Sequence, residues 1–188
     1  MSQSGVAPVA VPTVGNPEPD AVRGMFASVA QRYDLLNSLL SQGQDRRWRR
    51  RAAQLSRVRV GDQVLDVCTG TGALAQLLWR RVGVSGEVVG IDLTEAMLEV
   101  ARTRVPEVRF LVGDACNLPF ADESFDAATM AFGLRNINDR QRALGELARV
   151  LRPGGRAVIL EFSKVQPLLQ PAYGWYSQHL IPVIARVV

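Results

Sequence analysis

Three carboxylates and a glycine-rich turn stand at spacings suited to holding a small charged ligand. Asp66-Val67-Cys68-Thr69-Gly70-Thr71-Gly72 grows out of the apolar run 63–67 and leads into a segment, Leu74 to Val82, with helical spacing. Strand, glycine turn and helix in that order let a backbone approach a ligand closely, because small residues leave the room. Two further apolar runs end in acids: Glu87 to Asp92, and Val108 to Val112 followed by Gly113-Asp114-Ala115. Ligands of open α/β sheets lie at the carboxyl ends of the strands, so Asp66, Asp92 and Asp114 are expected at one cleft.

Two cofactors compete for the turn. Gly70-Thr71-Gly72-Ala73-Leu74-Ala75 fits G-x-G-x-x-A, with Asp92 at about the 20-residue distance of a ribose-binding acid, the pattern of a nicotinamide dinucleotide. Asp66 argues against it, since a carboxylate beside a pyrophosphate sets like charges in contact in a poorly solvated cleft. S-adenosylmethionine carries no phosphate, and its methionine end has an ammonium group near a sulfonium, so an acid there suits it. Asp92 is then placed to accept from the ribose hydroxyls, Asp114 from the adenine amino group, and the Ala115 N–H to donate.

The chain has 188 residues, 47% of them hydrophobic, enough for one core, and it reads as a single domain. No apolar run approaches the ~18 residues of a spanning helix. Residues 1–19 lack periodicity and the layout of a signal peptide, and read as a disordered tail. Cys68 and Cys116, the only cysteines, suggest neither a disulfide framework nor a metal site, consistent with a reducing cytoplasm. The net charge of +4 is carried almost wholly by arginine, Lys164 being the only lysine. Much of it lies in Arg46-Arg47-Trp48-Arg49-Arg50-Arg51, which reads either as a solvated helix face around a packed Trp48 or as an anionic-membrane contact. No aromatic-basic repeat supports nucleic acid.

Periodicity predicts a helix from Ala21 toward Ala30 capped by Asp20, helices over 35–40 and 45–55, and then alternation: strand 63–67, helix 73–82, strand 87–91, helix 95–103, strands 108–112 and 125–131, helix 139–151, strand 156–162. Strands separated by helices imply parallel crossovers and an α/β, doubly wound, mostly parallel sheet. Residues 20–56 would form a helical lid over an α/β core at 63–162. Arg152-Pro153-Gly154-Gly155 reads as a helix stop and tight turn. The segment 163–188 reads as helical or irregular, lining an apolar pocket, touching a membrane, or packing as an ordinary insertion.

Residues 25–37 (MFASVAQRYDLLN), Arg46 to Arg50 around Trp48, Asp66 to Gly72, Leu118-Pro119-Phe120, Phe132-Gly133-Leu134-Arg135-Asn136, Arg152 to Gly155 and Leu160-Glu161-Phe162-Ser163-Lys164 occur in an order that resembles the class I S-adenosylmethionine-dependent methyltransferases. More closely, the chain resembles their demethylmenaquinone and ubiquinone C-methyltransferase branch. The resemblance implies a Rossmann-like fold and S-adenosylmethionine bound by Asp66, Gly70, Thr71, Gly72, Asp92, Asp114, Ala115 and the Ala131 position. Family members commonly carry an acid where this chain has Ala73 and a small hydroxyl residue where it has Ala131. The family fold adds a terminal strand hairpin beside the fifth strand. The sequence stops before it, so strand 156–162 is expected to be an apolar edge that lowers stability or favours self-association.

The implied activity is transfer of a methyl group from S-adenosylmethionine to a ring carbon of a demethylated prenyl quinol, demethylmenaquinol above all, with the head group in a cytoplasmic pocket peripheral to the inner face of the membrane. Such a displacement rests on alignment and exclusion of water. Arg135 is the first candidate to stabilise a phenolate, Asn136 to bind the second ring oxygen, and Tyr33 or Asn37 to close the pocket. The bland readings are an Arg135 ion pair with Asp139 or a capping contact, and a Tyr33 packed in the core. His179, the only histidine, is a general base by chemistry but lies in the irregular terminal segment. Alternatives are a methyltransferase of another small molecule, or a catalytically silent protein that binds partners in a quinone-synthesis complex or as a homo-oligomer.

Overall fold

The strands of this chain are short runs of valine, leucine, isoleucine and alanine with little polar alternation, as expected where both faces of a parallel sheet are covered. The structure is a computed structural model, and it describes Gly24, Phe26, Ala27, Ala30 and 32–162. The expectations for residues 1–19, for most of 20–31, and for 163–188, including His179, lie outside the described residues. In chain order the elements are α1 (Tyr33–Leu40), α2 (Gln44–Leu55), β1 (Gln63–Val67), α3 (Ala73–Val82), β2 (Glu87–Asp92), α4 (Glu95–Arg104), β3 (Arg109–Val112), β4 (Phe125–Ala131), a 3-10 turn (Leu134–Asn136), α5 (Arg140–Arg149) and β5 (Leu151–Leu160).

The five strands pair in parallel in the order β3-β2-β1-β4-β5. Successive side chains point to opposite faces, which divides the core in two. Val64, Leu74, Leu78, Val88, Leu98 and Phe110 join α2, α3 and α4 on one face, while Leu65, Val67, Ile91, Met130 and Leu147 join α5 on the other. The strand order reverses between β1 and β4, and a cleft opens at that switch point.

Local sequence explains the ends of the helices. Asp139 caps α5 by accepting from the Arg142 N–H at 2.9 Å. Arg80 and Arg81 close α3, and Arg102 and Arg104 close α4, where cations oppose the dipole's negative end. The long helix is shorter than the expected 139–151, because Leu151 already pairs with Phe125. The Pro-Gly-Gly turn sits inside β5: pairing steps from Phe125↔Leu151 to Ala127↔Arg156, so the single residue Asp126 of β4 stands opposite residues 152–155 of β5. Gly154 adopts φ +82°, and a Cβ on Gly155 would stand 2.8 Å from the Arg152 carbonyl oxygen. The ladder then runs to Leu160 and stops short of Phe162.

Candidate cofactor and substrate site

The turn after β1 is held from three sides. Asp66 is 1% exposed, and its two carboxylate oxygens accept from the hydroxyls of Thr69 (2.7 Å) and Thr129 (2.6 Å). Burial drives its pKa up to about 6, against the two threonine hydrogen bonds and the charge of Arg49, which pull it down. Asp92 closes β2 and accepts from the Gly70 N–H at 2.8 Å and the Thr94 N–H at 2.9 Å. Burial raises its pKa as well. Cys68 takes a left-handed φ of 53° between them, and burial, followed by the charges of Asp92 and Asp66, pushes its thiol well above the usual range. That environment does not activate a thiolate nucleophile.

The lid is tied to this turn. Phe26 packs edge-on against Tyr33, ring centroids 5.7 Å apart. In the first turn of α1, Asp34 accepts from the Thr71 hydroxyl and pairs with Arg104, whose Nη1 also donates to Thr71 at 3.2 Å. On α2 the arginine cluster is not uniformly solvated. Arg46, Arg47, Arg50 and Arg51 are exposed, but Arg49 is 7% exposed and pairs with buried Asp45 at 2.5 Å. Trp48, expected to be packed, is 36% exposed and leans on Phe132 and Phe162. The i,i+4 pairing of Asp45 with Arg49 is the sequence signal that separates the inner arginine from the others.

β4 ends at Ala131 and is followed by Phe132 (φ 60°) and Gly133. A Cβ on Gly133 would stand 2.4 Å from the Cys68 Cβ, so glycine alone lets the two strand ends meet. The 3-10 turn presents Arg135 and Asn136. Arg135 does not pair with Asp139. Its guanidinium donates to Glu161 Oε1 at 2.9 Å while its N–H donates to Oε2 at 3.1 Å, and it lies 4.9 Å from the centre of the Phe162 ring.

These elements enclose a cleft of about 660 Å³ including its mouth, lined among others by Tyr33, Gly70, Asp92, Ala131 and Asn136. A second compartment of about 310 Å³ adjoins it and is lined by Arg49, Asp66, Thr69, Thr71 and Ala73, with Tyr33, Cys68, Gly70 and Ala131 common to both. Tyr33, Asp66, Gly70, Thr71, Asp92, Ala131 and Asn136 are thereby brought together. Gly72, Asp114, Ala115 and Arg135 are not on the walls. Gly72 is a packing contact, its Cβ position 3.1 Å from Ala101 and Phe110, Ala115 lies in the core, and the exposed Asp114 accepts from the Cys116 N–H at 2.8 Å. Among the described residues no cluster of three or more potential metal ligands occurs.

The walls fit S-adenosylmethionine better than a dinucleotide. The apolar cleft with Asp92 at its edge suits an adenosine, and nothing lies within 4 Å of where a Cβ of Gly70 would stand, so the turn is open to a ligand. A pyrophosphate would meet the carboxylates of Asp66 and Asp92 on these walls.

The sheet order, the glycine turn after β1 and the acids closing β1 and β2 define the class I S-adenosylmethionine-dependent methyltransferase fold. Among solved structures the chain resembles the [4+2]-cyclase SpnF, at 25% identity and a TM-score of 0.68 over 81% of this chain and 63% of that one. It also resembles a SAM-dependent methyltransferase of Thermotoga maritima, at 26% identity and 0.63 over 85% and 70%. The chain belongs to the ubiE/COQ5 methyltransferase family, whose sequence profile matches residues 14–188. It is 45% identical to the ubiquinone/menaquinone biosynthesis C-methyltransferase UbiE of Idiomarina loihiensis over 92% of this chain and 72% of that protein. It is 47% identical to the demethylmenaquinone methyltransferase of Paenarthrobacter aurescens over 90% and 66%. The chain thus spans about two thirds to three quarters of the length of these relatives.

Proposed function

We propose that this chain carries the methyl-transfer site of an enzyme that methylates a ring carbon of a demethylated prenyl quinol, demethylmenaquinol to menaquinol being the first reaction to test. The observation that carries the reading is a pair of adjoining compartments that bring Asp66 and Asp92, at the ends of two strands of a methyltransferase fold, together with Asn136, Tyr33 and Phe26. S-adenosylmethionine, when bound, supplies an electrophilic methyl group. Asp66, Gly70, Thr71, Asp92 and Ala131, which line the two compartments, form its site, with Asp92 accepting from the ribose and Asp66 facing the ammonium; Gly72 shapes the turn by packing on Ala101 and Phe110, and Asp114 and Ala115, which follow the wall residue Gly113, are the candidates to recognise the adenine.

The protein's own part is to make a ring carbon nucleophilic and keep water out. Arg135, next in the chain to the wall residue Asn136, stabilises the phenolate that forms when a ring hydroxyl gives its proton to water, since a guanidinium keeps its charge at neutral pH. As the ring carbon takes the methyl group the sulfur–methyl bond breaks, S-adenosylhomocysteine is the leaving group, and the proton of that ring carbon passes to water. Asn136 hydrogen-bonds the second ring oxygen, and Tyr33 closes the pocket from the lid. Among the described residues no helix is long and apolar enough to cross a membrane. A prenyl tail nevertheless needs an apolar path. Exposed Trp48, Leu55 and Phe162 beside Arg46, Arg47, Arg50 and Arg51 support a peripheral contact with an anionic membrane surface.

A methyltransferase acting on a different small molecule is the second reading, because SpnF shares the fold and is a cyclase, which separates fold from substrate. Calorimetric titration with S-adenosylmethionine and with NAD tests the cofactor: saturable binding of the first alone supports this function, and binding of NAD alone overturns it.

A further inference from the structure

Arg49 is the only arginine or lysine among the buried charged residues described, and its position invites a use beyond its partner Asp45. A buried guanidinium is costly unless its donors are satisfied. Asp45, itself held by the Ser41 hydroxyl at 3.0 Å, occupies one of the five N–H groups through Nη1. The guanidinium carbon stands 5.1 Å from the centre of the Phe132 ring, and the side chain forms part of the wall of the smaller compartment together with Asp66, Thr71 and Ala73. Its charge reaches the Asp66 carboxyl. The smaller compartment therefore has a carboxylate and a guanidinium on its walls, and α3 begins there with Ala73, which adds no charge.

That pair of opposite charges matches an amino-acid zwitterion. We propose that Arg49 anchors the α-carboxylate of the cofactor's methionine end while Asp66 faces its α-ammonium, so that α2 of the lid is fastened to the strand ends through the ligand. The inference rests on S-adenosylmethionine being the cofactor and specifies which residue recognises its carboxylate. A planar fork suits this task, since it offers two parallel N–H groups to a carboxylate.

The test uses three ligands that differ at one end: S-adenosylhomocysteine, its decarboxylated analogue S-adenosyl-3-thiopropylamine, and 5′-methylthioadenosine, which lacks the whole amino-acid end. Binding is measured by calorimetry, with thermal melting of the ligand-free proteins as the folding control. Wild type is expected to bind S-adenosylhomocysteine about 10- to 100-fold more tightly than the decarboxylated analogue, the range of a charged hydrogen-bonded contact. Arg49→Gln is expected to lose that preference and to bind 5′-methylthioadenosine within about twofold of wild type, with Arg49→Lys in between. An equal loss for all three ligands, or a wild type indifferent to the carboxylate while still binding S-adenosylhomocysteine, overturns the inference and leaves the cofactor reading standing. A wild type that binds none of the three overturns both. If Arg49→Gln does not fold, the wild-type comparison and Arg49→Lys decide the question.

Discussion

The Thr71 hydroxyl, in the glycine turn, lies 2.9 and 3.0 Å from the two carboxylate oxygens of Asp34 on the lid, 37 residues earlier in the chain. With Arg104 bonded to both, this is the polar link that joins the lid to the cofactor turn and to the end of α4. Thr71→Val keeps the shape and removes the donor. It is expected to lower stability by about 1 kcal/mol and to weaken S-adenosylhomocysteine binding about fivefold, with Thr71→Ser restoring both. Urea midpoints and calorimetry measure these effects, and a Thr71→Val protein indistinguishable from wild type would remove the link from the account.

Asp66 makes stability depend on pH in a definite direction. Its folded pKa of about 6 lies above the ordinary 3.8, so the native state holds this proton more tightly than the unfolded chain. Below about pH 4 both states are protonated and the group has no effect. As pH rises toward 6 its contribution falls by about 3 kcal/mol, then stays level. Asp66→Asn should therefore flatten the stability curve between those pH values relative to wild type. Because the ionised form is the one that faces an ammonium, wild-type affinity for S-adenosylhomocysteine should rise through pH 6. Parallel curves for wild type and variant would contradict the assignment.

Glu161 fixes both ends of Arg135, the side chain through Oε1 and the backbone through Oε2. Arg135→Ala is expected to reduce methyl transfer at least about 100-fold while leaving S-adenosylhomocysteine binding within about threefold, because it removes charge stabilisation and not the cofactor's contacts. Glu161→Gln should lower kcat about tenfold with little change in cofactor affinity, since it loosens the guanidinium without deleting it. Equal losses of binding and turnover in either variant would mean that these residues support the fold.

Gly133 offers a steric test of the cleft. A Cβ there would meet the Cys68 Cβ at 2.4 Å and Sγ at 2.8 Å, between two strand ends that cannot easily separate. Gly133→Ala is expected to cost about 1–3 kcal/mol and to impair cofactor binding through displacement of the turn, as overpacking does. Chemical denaturation together with S-adenosylhomocysteine titration would show it, and an unchanged midpoint would indicate that the strand ends are looser than described.

Much of the fold is legible in local pattern. The apolar runs at 63–67, 87–91 and 125–131 announce buried parallel strands, and Asp66, Gly70 and Asp92 announce the cleft, because strand, turn and acid lie within a few residues of one another. What local pattern does not carry is contact across long separations. Nothing near Thr71 signals Asp34 or Arg104, and nothing near Arg135 signals Glu161 over its neighbour Asp139. The Arg152–Gly155 turn is recognisable from its residues, yet its place as a bulge within β5 follows from pairing with β4.

Incubation of the protein with methyl-labelled S-adenosylmethionine and demethylmenaquinol, with the label located in the product by mass spectrometry, decides whether the chain methylates a quinol ring carbon. One methyl group on a ring carbon is expected from the wild type, and none from Arg135→Ala. Label on a ring oxygen, or no product from a protein that binds S-adenosylmethionine and is offered both naphthoquinol and benzoquinol substrates, would contradict this.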